Sequence, residues 1–178
     1  LAVIGLAKRM DVALGLANSY LKRCVRKGWV KIHQAPANRY LYYLTPTGFA
    51  EKSRLTAQYL SYSFSFYRKA SDSCARVMAE CEANQRHRVL LCGVSDLAEI
   101  ASLRAMERQI AIVAVYDAQA SVNRFLDREV VKSLHAVSAF DACVVTDLLD
   151  PHSMVAVLRE AVDDDQIVVP DILGVKTD

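Results

Sequence analysis

Three apolar runs in the second half of the chain each stop at small or acidic polar residues. Arg88–Cys92 leads into Gly93-Val94-Ser95-Asp96, Ile110–Tyr116 into Asp117, and Ala142–Val145 into Thr146-Asp147. A glycine turn that opens a helix can present backbone N–H groups to a phosphate, and an acid after a second parallel strand can accept hydrogen bonds from ribose hydroxyls. Gly93, Val94, Ser95, Asp96, Asp117 and Thr146 are therefore the expected ligand-binding residues. The glycine pattern G-x-G-x-x-G is absent, since Gly93 stands alone in its turn, and Asp96 would repel a phosphate close to it. The competing reading is structural: Gly93 makes a tight strand-to-helix turn and Asp96 caps the helix.

A second set of residues, in the first third, suits a nucleic acid. Asn18, Ser19, Lys22, Arg23 and Arg26 recur at spacings that put them on the outer side of one helix, with Ala17, Leu21, Cys24 and Val25 on the other, and Gly15 and Leu16 stand at the helix start. Asn18 can bond adenine bidentately, Ser19 can bond several base edges, and Leu16 can meet a thymine methyl, with Gly15 allowing close approach. Lys22, Arg23 and Arg26 suit phosphates, which fix register without reading sequence. Arg39, near a predicted hairpin tip, suits a narrow minor groove. Each residue alone is also what a solvated helix face would carry; the argument rests on the set.

No catalytic constellation accompanies them. His33, His87, His135 and His152 are isolated from one another, and Ser95 lies in no G-x-S-x-G, so a non-enzyme is expected. Cys24, Cys74, Cys81, Cys92 and Cys143 form no C-x-x-C and no zinc spacing. They read as reduced, mostly buried thiols of a cytoplasmic protein.

Charge divides the chain in the same way. Residues 1–60 hold ten Lys/Arg against Asp11 and Glu51, a net +8; residues 61–87 are +1 and residues 88–178 are −7, within a total of +2. A basic region joined to an acidic one implies two electrostatic tasks, the first suited to a polyanion. With 53% hydrophobic and 24% charged residues, the composition is that of a globular protein rather than a disordered one. The longest apolar runs fall far short of the roughly 20 residues a bilayer requires, and the chain opens on an amphipathic helix rather than a signal peptide.

The elements that must position these residues can be read from periodicity. A helix over 2–10 and another over Leu14–Lys27 flank a short turn, which is a helix-turn-helix with the second helix presented to a major groove. Gly28 closes that helix, and β-rich Trp29–Ile32 and Tyr40–Leu44 form a hairpin. Thr45-Pro46 then caps a helix running to about Asn84. Its seam of Leu55, Tyr59, Tyr62, Phe66, Ala70, Cys74, Val77 and Cys81 predicts about 50 Å of amphipathic helix, covered by a second subunit rather than by its own chain. Beyond it, strands alternate with helices (97–108, and Pro151 to about Val162), and their continuous apolar character predicts a covered parallel sheet. Residues 118–131 leave room for a short helix.

The run LANSYLKRCVRKGWVKI, followed by a hairpin and YYLTPTGFAEK, resembles the MarR-type winged-helix transcriptional regulators, closest to the group associated with exopolysaccharide synthesis. The likeness covers roughly residues 1–60. It implies a bacterial DNA-binding regulator, a further helix ahead of residue 1, and a Ser or Thr cap where Ala13 stands. The segment LLCGVSDLAEIASL is similar, over about 30 residues, to the first turn of nucleotide-sugar-binding domains in bacterial sugar acyltransferases.

The expected architecture is thus an α+β winged helix-turn-helix (1–46), a long connecting and dimerising helix (47–86), and an α/β Rossmann-like domain with a parallel sheet (87–178). The expected function is a DNA-binding transcriptional regulator, acting as a homodimer on double-stranded DNA without membrane contact. Its second domain would sense a nucleotide-type small molecule such as a nucleotide sugar. The alternatives are an NAD(H)-responsive redox-sensing repressor, which the missing glycines disfavour, and an enzyme with an accessory winged helix.

Overall fold

The computed structural model describes residues 2–36, 39–137 and 139–175, with the side chains of Ala2 and Arg39 outside that description. The chain is mixed α/β and forms two compact units, Leu1–Phe64 and Ser65–Asp178. No described helix is long and apolar enough to cross a membrane.

The first unit opens with α1 (Ala2–Arg9) and α2 (Leu14–Arg26). The turn between them is made by Asp11, whose φ of 49° is left-handed, a conformation aspartate tolerates better than most residues. Ala13 offers α2 no side-chain cap. At the other end Gly28 adopts φ 71°, and the Trp29 N–H reaches back to the Cys24 carbonyl at 3.0 Å, which closes the helix as a Schellman turn. The chain then forms an antiparallel hairpin of β1 (Val30–Ala35) and β2 (Arg39–Leu44), in register from Val30↔Leu44 to Ala35↔Arg39.

Thr45 ties this hairpin to α3 (Pro46–Ala83). Its hydroxyl oxygen accepts the Gly48 N–H at 3.0 Å, capping the helix, and lies 2.7 Å from the Gly28 carbonyl, to which it donates. Its own N–H donates to the Trp29 carbonyl at 3.0 Å. Pro46 occupies the first helical turn, where its missing N–H costs nothing.

The second unit is built on a six-stranded sheet in the order β5-β6-β4-β3-β7-β8. The strands are β3 (Arg88–Cys92), β4 (Ala111–Tyr116), β5 (Arg124–Phe125), β6 (Arg128–Val131), β7 (Ala142–Val145) and β8 (Ile167–Val168). All pairings are parallel except β5 with β6. That antiparallel pair occupies part of the 118–131 stretch for which a short helix had room; Leu126 and Asp127, both left-handed, make its tight turn. Two further helices are α4 (Asp96–Met106) and α5 (Pro151–Arg159).

Alternate residues of each strand enter different cores. Val89, Leu91, Val144 and Val168 pack with α3 and α4, through Cys74, Val77, Met78, Leu97 and Ala101. Leu90, Cys92, Cys143 and Ile167 pack with α5, through Val155 and Leu158. Helices on both faces explain why the strands are apolar throughout.

The long helix therefore has two kinds of apolar surface. Ala70, Cys74, Val77 and Cys81 are buried within the second unit, whereas Leu55, Tyr59, Tyr62 and Phe66 remain exposed. The single seam expected to face a second subunit is split: its C-terminal half is covered by its own chain, because the sheet's apolar face offers a nearer partner.

Candidate functional site

On α2 the two faces segregate as their side chains require. Ala17 is fully buried, and Leu21, Cys24 and Val25 are half-buried. Gly15, Leu16, Asn18, Ser19, Lys22, Arg23 and Arg26 are exposed together on the opposite side. Ser19 donates its hydroxyl proton to the Gly15 carbonyl at 2.9 Å, which leaves its oxygen free only to accept. Lys27, just beyond the helix, holds its ammonium 4.5 Å from the centre of the Trp29 ring, a cation–π contact that orients it at the base of the hairpin. Arg39 opens β2, and its side chain lies outside the described residues.

The second site lies beyond the carboxyl ends of the parallel strands. From β3 the chain steps outward to β4 and β6, then returns to β7 and β8 on the other side. The order reverses between β3 and β7, and such a reversal leaves a crevice outside the strand ends. The crevice here measures about 640 Å³ and is lined by Val94 and Ser95 after β3, Tyr116–Val122 after β4, and Asp147–Asp150 with Ser153, Met154 and Val157 after β7.

Of the six expected ligand residues, Val94, Ser95 and Asp117 line this crevice; Gly93, Asp96 and Thr146 do not. Gly93 has φ 115°, and a Cβ on it would come within 2.5 Å of the Asp147 backbone nitrogen, so the glycine serves the contact between two strand ends. Thr146 is fully buried, with its hydroxyl donating to the Gly93 carbonyl at 2.7 Å. Ser95, not Asp96, caps α4, accepting from the Leu97 and Ala98 N–H groups at 3.1 and 3.3 Å while donating to the Thr146 carbonyl at 2.5 Å. Asp96 is the first residue of the helix. The turn after β3 and the end of β7 are thus cross-braced by their own polar groups.

Asp117 does something the sequence reading did not foresee. Its Oδ2 accepts the Val94 N–H at 3.0 Å and its Oδ1 the Gln119 N–H at 2.9 Å. One backbone donor of the turn after β3, the Val94 N–H, is thus paired with a carboxylate. Asp147 repeats the arrangement, its Oδ1 accepting from Leu149 and Asp150 at 2.7 and 3.1 Å, and Asp150 caps α5 through the Ser153 N–H at 3.1 Å. Asp147 and Asp150 were not among the expected site residues. The signal for Asp147 was its position after β7, which matches that of Asp117 after β4.

Neither a protein-family model nor a curated protein sequence matches the chain. The α2 face is basic and polar, with side chains long enough to reach a polyanion. The crevice is acidic: none of its lining residues is Lys, Arg or His, and three are Asp. Burial pushes the Tyr116 phenol up, with Cys92 and Asp117 acting in the same direction, so this lining group is neutral at ordinary pH.

Proposed function

We propose that the chain is a DNA-binding transcription regulator of winged-helix type whose second unit senses a small molecule. The observation that carries this reading is the exposed α2 face, where Asn18 and Ser19 stand beside Lys22, Arg23 and Arg26, with the β1–β2 hairpin directly after it. A helix carrying base-reading and phosphate-binding residues on one side, followed by a hairpin, suits insertion into a major groove with the hairpin beside it. The net charge of +8 in residues 1–60 supports the same partner. The resemblance of this region to MarR-type regulators agrees with it.

In this reading the regulator is a homodimer. Leu55, Tyr59, Tyr62 and Phe66 leave an apolar row exposed on α3, and the first unit buries few side chains of its own, chiefly Ala7, Ala17 and Thr45. A second copy covering that row would also place two α2 helices at a fixed spacing on palindromic DNA.

The small molecule belongs in the crevice at the strand ends. The parallel strands taken in chain order, β3, β4, β6, β7 and β8, lie as 3-2-1-4-5, the Rossmann order, and the crevice falls at its switch point. An NAD(H) sensor is the weaker version, because the Val94 N–H is already held by Asp117.

Fluorescence anisotropy with labelled duplexes, titrated across salt concentrations, tests the principal reading. Binding should weaken steeply with salt and should discriminate operator from scrambled DNA. Affinity that ignores salt, or no affinity for duplex DNA at low salt, overturns it.

A further inference from the structure

The β1–β2 hairpin has two unlike faces. Residues directly opposite each other across an antiparallel pair project to the same side, so Val30 with Leu44, Ile32 with Tyr42 and Gln34 with Tyr40 share one face. Val30 and Leu44 line an apolar groove against α3, together with Gly48 and Leu55. The other face therefore looks outward. It carries Lys31 opposite Tyr43 and His33 opposite Leu41, and all four are exposed. Ala35, paired with Arg39, ends the ladder.

His33 stands in the middle of this outer face, and no carboxylate of the first unit answers it. The sequence holds no acid between Asp11 and Glu51. Asp11 lies in the turn between α1 and α2, and Glu51 is held on α3 by Arg54 at 2.8 Å. The titratable side chains beside His33 on the face are Lys31 and Tyr43. A proton on an imidazole here meets like charge from Lys31 and no counter-charge from the hairpin. A sugar–phosphate backbone laid along the face supplies that counter-charge. Histidine is the side chain whose charge ordinarily changes between about pH 5 and 8, and His33 is the only histidine in the first unit.

We infer that the outer face of the hairpin is a proton-dependent DNA contact, in which His33 takes a proton from solvent as it meets a phosphate and so adds one positive charge to the interface. Lys31 supplies the fixed charge beside it. The inference rests on the DNA-binding reading and gives it a regulation: the duplex is held more tightly in mild acid than above neutrality.

Anisotropy of a labelled duplex with the full chain, at about pH 5.5 and about pH 8 and at several salt concentrations, provides the test. The wild type should bind about fivefold tighter at the lower pH, the scale of one more close charge pair in water. Its slope of log affinity against log salt should be steeper there by about 0.9. His33→Gln should bind equally at both, as weakly as the wild type does at the higher pH. His33→Lys should bind tightly at both, because its charge does not titrate in this range. Each substitution replaces an exposed side chain, so circular dichroism should be unchanged. Titration calorimetry in two buffers of unlike ionisation heat should find protons absorbed on binding by the wild type and not by His33→Gln. If His33→Gln keeps the pH dependence, or the wild type shows none, the inference is overturned and the DNA-binding reading stands. If no duplex binds at either pH in low salt, both fall.

Discussion

A Cβ on Gly48 would lie 2.0 Å from the carbonyl oxygen of Trp29. Glycine is required there for space, because the first turn of α3 packs on the backbone that leaves α2. Thr45, capping the same turn and donating to the Gly28 carbonyl, fixes the approach. Gly48→Ala should therefore cost about 1–3 kcal/mol in the first unit, as overpacking does. It should lower its melting transition in calorimetry while the α/β unit's is unchanged. A variant that melts as the wild type does would show that α3 can move away from Trp29 without loss.

The Leu-Thr-Pro-x-Gly stretch was legible because its features are local: a hydroxyl cap, a proline in the first turn and a glycine two residues on. The strand ends were legible for the same kind of reason, since apolar runs that stop at Gly93, Asp117 and Thr146 mark the carboxyl edge of a parallel sheet. Sequence could not show which partner each polar group would take. Asp117 and the Val94 N–H are far apart in the chain, and only the β3–β4 pairing brings them together. Nor could periodicity tell that one helical seam would divide between two environments, because Phe66 and Ala70 are equally apolar in a pattern and differ only in what lies opposite.

Replacing Lys22, Arg23 and Arg26 by Ala should weaken DNA binding for every sequence. It should also reduce the slope of log affinity against log salt by up to about 2.7, since each phosphate neutralised contributes about 0.9. Asn18→Ala should leave that slope alone and erode discrimination at one base pair by about 1–3 kcal/mol. An unchanged slope in the triple variant assigns the DNA to a different surface.

Tyr59 and Tyr62 are 70% and 67% exposed in the single chain. Glutamate at both positions should thus be tolerated by the isolated fold but not at an apolar interface, where unpaired charge is costly. Light scattering should find the wild type dimeric and Tyr59→Glu/Tyr62→Glu monomeric, with unchanged circular dichroism. A wild type that is monomeric at micromolar concentration removes the second copy from α3.

Cys74, Cys81, Cys92 and Cys143 are buried, whereas Cys24 is half-buried. Desolvation pushes the Cys74 and Cys81 thiols up to about 11, so neither supplies appreciable thiolate at neutral pH. Iodoacetamide followed by mass spectrometry should modify Cys24 first, with the other four reacting only as the α/β unit opens. Early modification of Cys74 or Cys81 would show that α3 separates from the sheet in the native state.

Asp171 joins the chain's last described turn to α3 and gives the second unit an acid dependence of known sign. Its carboxylate accepts from the Ser73 hydroxyl and from Arg76 at 2.6 and 2.7 Å, and the Ile172 N–H donates to Ser73 at 3.2 Å. The Ser73 hydrogen bond, then Arg76, holds the Asp171 carboxyl below the ordinary carboxylate value. A group whose pKa is lower folded than unfolded stabilises the fold above its unfolded value, about 3.9 for Asp, and that contribution fades as pH falls through the folded one. Asp171→Asn should accordingly melt below the wild type at pH 7, by a small margin because the carboxylate is 68% exposed and its ion pair is screened. The margin should close as the pH is taken below about 4, where the wild-type carboxyl gains its proton and comes to resemble the amide. Melting curves of the two proteins from pH 7 to about 3 decide the matter: a gap that stays constant across the range would mean that the loss comes from packing of the amide rather than from the charge.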